Sequence, residues 1–185
     1  MALRLKSHWH DDQAGRSLEE IARAVAFNIW RIAKDKAWAL HGQDFVFRDD
    51  RQYLEVIAEY VFYMVQITDR LTFPRLDEDQ RRTFLTRLAL ALAHQVQDNS
   101  QDLLEPGDYG RPFIDRLNQR SAEYAEFGFD PEEGPSYPFI RHLGFEIQRL
   151  MGEGRENRWV IDQVMDKDAW EAYRQVHQVV ENLLE

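Results

Sequence analysis

From Ser17 onward, apolar residues recur every three or four positions in long segments, and short runs of glycine, proline and acid separate those segments. The pattern predicts an all-α protein, an irregular bundle of about six to seven helices packed on their nearest neighbours. Ser17 and Glu20 read as a capping box that opens a first helix ending near Leu40, before His41 and Gly42. Ile21, Val25, Asn28, Ile32 and Ala39 share one face of it, and Phe27, Trp30 and Trp38 add apolar surface elsewhere. Asn28 is expected as a satisfied core amide, with a ligand contact as the alternative. Phe45, Val46 and Phe47 are too short a run for a sheet and read as a loop that packs its aromatics.

A second helix, from Asp49 or Asp50 to about Leu71, is apolar over most of its circumference between residues 53 and 67. Glu55, Glu59, Gln66 and Arg70 leave one narrow polar stripe. Such a helix belongs at the centre of a domain or at a subunit interface. The stripe is expected to face water, because a buried unpaired charge costs several kcal/mol. If buried, its carboxylates could instead serve as a general acid or base.

Phe73 and Pro74 break the chain, and Asp77, Glu78 and Asp79 place negative charge at the start of a third helix running to about Leu104. Further helices are predicted over residues 111–127, 138–151, 157–165 and 168–184. No repeat or long linker divides the chain, so residues 1–16 form a polar N-terminal arm and 17–185 a single helical domain.

Composition narrows the chemistry. Cysteine is absent, which removes disulfides, thiol nucleophiles and cysteine-ligated clusters. No continuous apolar stretch suits a signal peptide or a membrane span, so a cytoplasmic protein with no membrane partner is expected. The net charge of −10 falls unevenly: residues 1–92 hold 14 basic and 14 acidic side chains, and 93–185 hold 9 and 19. An acidic second half repels phosphate backbones and argues against nucleic acid, while a basic protein partner would complement it.

Histidine is followed four residues later by an acid in His94/Asp98, His142/Glu146 and His177/Glu181. Helical spacing puts each pair on one face. Glu59, His142, Glu146 and His177 are the ligands a metal-binding reading would use, since imidazole and carboxylate together suit iron, zinc or manganese. Surface ion pairs give the same spacing, and neither the Glu-x-x-His pairs of di-iron bundles nor His-Glu-x-x-His occurs. His8, His10, Asp11 and Asp12 could chelate a metal but read as part of the polar arm.

Two loops rich in glycine, proline and aromatics bracket the fourth helix, at residues 106–110 and 127–138. Tyr109, Phe127, Phe129 and Tyr137 are therefore candidate anchors for a partner, or else rings tucked beneath stiff connections. No phosphate loop, nucleophile elbow or Ser/His/Asp signature is present, no cofactor is expected, and no catalytic residue can be named. The reading preferred is a non-enzymatic interaction protein, homodimeric through the apolar surface of its first two helices. A metal-dependent protein and a binder of a small apolar or aromatic ligand are the alternatives.

Overall fold

The computed structural model describes residues 16–184 and is built from α-helices: α1 (Leu18–His41), α2 (Asp50–Thr72), α3 (Glu78–Leu103), α4 (Gly110–Tyr124), α5 (Tyr137–Met151), α6 (Val160–Gln163) and α7 (Ala169–Leu184). The expected polar arm, with His8, His10, Asp11 and Asp12, lies outside the described residues apart from Arg16. Two capping boxes start α1 and α3. Ser17 Oγ accepts from the Glu20 amide while Glu20 accepts from the Ser17 amide, and Asp77 and Gln80 repeat the exchange. Each box satisfies backbone donors that the first helical turn leaves open.

α2 is the axis of the bundle, with α1, α3, α4, α5 and α7 packed around it. Tyr60 through Val65 are all buried by other helices of the same chain. The apolarity of this stretch is thereby accounted for within one copy, without the dimer contact the sequence suggested. On α1 the large apolar side chains left in water are Phe27 and Trp38, whereas Trp30 is buried. Asn28 is half-buried, and its amide donates to the Ala24 carbonyl one turn back.

The polar stripe of α2 is not the wet edge expected of it. Glu59 is 0% exposed and Gln66 6%, because α4 crosses the stripe and supplies matching polar groups. Gln66 Nε2 donates to Ser121 Oγ at 2.7 Å, and Arg70 Nη2 donates to the Tyr124 and Phe127 carbonyls at the end of α4. A polar stripe can be buried at low cost when the covering element carries the complementary donors and acceptors.

The segments expected as separate sixth and seventh helices run on without a break. α6 passes into a π-helical turn over Val164–Asp168 and then into α7, with the Ala169 amide donating to the Val164 carbonyl five residues back. Two buried tyrosines of α2 fasten this seam: the Tyr60 hydroxyl donates to Asp168 Oδ2 and the Tyr63 hydroxyl to the Ala169 carbonyl, each at 3.0 Å. Burial foremost raises the Asp168 carboxyl above its usual range, against the hydrogen bonds from Gln163 and Tyr60.

Loops are held by side chains. Asn157 bonds both the amide and the carbonyl of Val46 and the carbonyl of Met151, pinning the α1–α2 loop to the end of α5. Phe45 and Phe47 pack against the core there as expected, with Val46 turned outward. Between α4 and α5 a two-residue antiparallel ladder pairs β1 (Phe129–Asp130) with β2 (Gly134–Pro135). Asp130 Oδ1 accepts from the Glu132 and Glu133 amides to close the turn. Gly134 has φ +91°, and a Cβ there would lie 2.8 Å from the Tyr173 ring, so backbone conformation and close approach both call for glycine. Among the described residues no helix is long and apolar enough to cross a membrane.

Candidate functional site

Helices α2, α4 and α5 bring seven ionisable side chains into one chain of contacts. Glu59 stands in the middle of α2; Arg116, Arg120 and Glu123 come from successive turns of α4; His142, Glu146 and Arg149 come from α5. Spacings of three and four residues place each set on one helical face.

Arg120, 4% exposed, is the hub. Its Nε and Nη2 donate to the two oxygens of Glu59, Nη2 also reaches Glu146 Oε2 at 2.5 Å, and Nη1 reaches Glu123 Oε2 at 2.8 Å. Arg116 Nη2 adds a second cation to Glu59 at 2.6 Å, and Arg149 grips Glu146 from the solvent side. His142 Nε2 lies 2.9 Å from Glu123 Oε2. Three guanidinium groups thus meet three carboxylates, so that acids and arginines in the cluster are matched in number. Burial works against the charge of Arg120, but the Glu59 hydrogen bonds together with the charges of Glu59, Glu146 and Glu123 outweigh it, so its pKa is raised further. Burial also opposes the charge of Glu123, yet bonds from Gln119, Arg120 and His142 hold its carboxyl below the usual range.

One polar atom beside this cluster is left over. The Tyr124 hydroxyl is buried without a hydrogen-bond partner among the described residues, and its ring meets His142 edge to face at 4.8 Å. Burial first, and the nearby Glu59 carboxylate second, keep it protonated far above the usual phenol range.

The four expected metal ligands are not gathered around a point. The Arg120 guanidinium stands between Glu59 and Glu146, where a cation shared by the two would have to sit. His142 turns to Glu123 instead of Glu146, and His177 packs on Tyr173 with Glu181 3.8 Å away, itself already bound by Arg75. Among the described residues no three histidine or acidic side chains are arranged to hold a metal ion. His94 and Asp98 are not brought to this cluster; both lie on α3.

The aromatic candidates separate as well. Phe127 and Tyr137, with Pro138, Arg141, His142 and Phe145, line an open depression of about 260 Å³ where the β-turn meets α5. Tyr137 is 68% and Phe145 48% exposed. Phe129 packs inward on Phe139 and Tyr173. Tyr109 lines a different groove of about 150 Å³ between α2, α3 and α4. The buried ionic cluster spans the distance between these openings: His142 lines the first and Arg116 the second.

Sequence patterning did not single out Arg120, Arg116 or Glu123, although Arg116 and Arg120 recur at helical spacing just as Glu55 and Glu59 do, a signal that two polar stripes could face each other. Phe145 and Arg141 were hidden inside an ordinary amphipathic helix. No family model, curated protein or solved structure matches the chain.

Proposed function

We propose that the chain is a non-enzymatic helical interaction protein that pairs with a second copy of itself through the corner formed by the β-turn and α5. The observation that carries this reading is the cluster of Phe127, Tyr137 and Phe145 around one open depression, two of whose rings stand largely in water. Aromatic side chains around a shallow cavity, with arginine beside them, are the composition of an interface centre. The flanks are self-complementary. Arg141 is exposed on one side, and Asp130, Glu132 and Glu133 are exposed in the adjoining turn. A two-fold axis through the depression brings the arginine of each copy toward the acidic turn of the other, as an isologous contact requires. The ionic cluster behind the surface holds α4 and α5 in register and thereby presents the rings on a rigid support. Its carboxylates, each engaged by guanidinium groups, serve as structure in this reading.

Sedimentation velocity tests it. The wild-type chain is expected at twice its 22.0 kDa mass, and Tyr137→Ser with Phe145→Ser at the mass of a single chain with unchanged helical content. Phe27→Ser with Trp38→Ser, both on α1, is expected to leave the dimer intact. A wild-type monomer at about 100 μM would defeat the reading, since a weaker self-affinity than that lies below about 5.5 kcal/mol. So would a dimer indifferent to the Tyr137 and Phe145 substitutions.

A further inference from the structure

The groove between α2, α3 and α4 differs from the α5 corner in being charged at its edge and apolar beneath. Buried Phe62 and Phe113 form its floor with Leu54, while exposed Arg51 and part-exposed Arg116 flank its opening. Ser100, 3% exposed, also lines it, and its hydroxyl makes no hydrogen bond with the described residues. Against a chain whose net charge is −10, the lining carries two arginines and a single acid, Glu55.

The two arginines are free to take a ligand. Arg51 makes neither a side-chain hydrogen bond nor an ion pair among the described residues. Arg116 uses one N–H group, on Nη2, to reach Glu59, and its guanidinium lies 5.8 Å from the centre of the Phe62 ring. A guanidinium has five N–H donors, so four of Arg116's remain. Glu59 does not depend on Arg116, because Arg120 holds both of its oxygens. An incoming carboxylate could therefore bond the remaining donors of Arg116 while its Nη2 stays on Glu59, and no buried charge is stranded.

We infer that this groove binds a small amphipathic monoanion, an aromatic or short branched carboxylate, with its carboxylate on Arg116 and Arg51 and its apolar body on Phe62 and Phe113. Guanidinium matches a carboxylate bidentately, which selects the acid over neutral compounds of the same shape. A space on the order of 150 Å³ accommodates one benzene-sized ring. Ser100 supplies a hydroxyl that can donate to the second carboxylate oxygen.

Amide NMR titration of the intact chain tests this, with benzoate as the probe and benzyl alcohol as its uncharged counterpart. Benzoate is expected to shift the amides of residues 51–58, 96–104 and 109–116 saturably, with benzyl alcohol about ten-fold or more weaker, the factor that one charge-assisted hydrogen bond supplies. Arg51→Gln with Arg116→Gln should lower benzoate to the level of benzyl alcohol. Ala58→Leu, which fills the groove from α2, should abolish both, and dispersion of its remaining amide signals reports that it folds. Absence of saturable shifts below about 10 mM benzoate, equal affinity for the two probes, or binding that survives Ala58→Leu in the folded variant overturns the inference.

Discussion

Arg120 holds Glu59 through two parallel hydrogen bonds, Nε to Oε2 and Nη2 to Oε1, each 2.9 Å long and both out of contact with solvent. The bond pair crosses from α4 to the central helix, and the same guanidinium continues to Glu146 on α5. A single side chain thus registers three helices against one another. Desolvating such ions is costly, and the attraction offsets that cost only because nearly every donor has an acceptor.

Arg120→Met is expected to destabilise the fold by about 3–5 kcal/mol, because Glu59 would keep only Arg116 and Glu146 only Arg149. Glu59→Leu combined with Arg120→Met should recover the part of that loss due to Glu59, since that pair of buried charges leaves together, while Glu146 still keeps only Arg149. Urea denaturation of the wild type and both variants measures it. A double variant no more stable than the single one would show that the ion pair itself, and not the stranding of one partner, dominates.

Stability should also respond to Asp168. Its carboxyl is raised above the ordinary 3.8 in the folded chain, chiefly by burial. A raised folded value means the native state holds the proton more tightly than the unfolded chain. The resulting stabilisation is complete below the unfolded value and is lost as pH rises through the folded one. Asp168→Asn removes that dependence while keeping a side chain able to bond Tyr60 and Gln163. Relative to the wild type, the variant should therefore gain stability as pH rises from 3.8 to the raised folded value and hold that gain above it, as read from denaturation curves at several pH values. A constant gap between the two across that range contradicts this account.

Gly134→Ala is expected to cost on the order of 2–4 kcal/mol, from the positive φ and from the overlap of the new methyl with Tyr173. Tyr173→Leu in the same chain should return the steric part and leave the backbone part. Thermal unfolding of the wild type, the single variant and the double variant separates the contributions. A Gly134→Ala chain as stable as the wild type would mean the turn can move off α7 freely.

The helical rhythm of the chain was readable because each amphipathic segment carries its own period, and the box at Ser17 needs only residues three apart. The break at Phe73 and the loop aromatics Phe45 and Phe47 followed from equally local chemistry. Glu59 was not readable. Its stripe has the same spacing whether it meets water or a second polar stripe, and the difference lies 57 and 61 residues away in Arg116 and Arg120. The π turn escaped for a related reason: it is held by Tyr60 and Tyr63 of another helix, and nothing in residues 164–168 marks it. The candidate anchors separated only when the packing of Phe129 against Tyr173 was known.

The seam between α6 and α7 fixes more than a bend. A π turn lodges one residue more than the α-helical path would need, so excising a single position there lets the segment close as ordinary α-helix, whereas excising one at the start of α7 would rotate everything beyond it by about 100°. Ala172, Val176 and Val180, now completely sheltered, would be carried to the side of the helix. The exposed turn at 153–156 can lengthen or shorten with little effect on its surroundings. From Ala169 onward the residue count itself is under constraint, while between Val164 and Asp168 the surplus residue leaves one position that can be lost with the angular phase of the C-terminal helix kept.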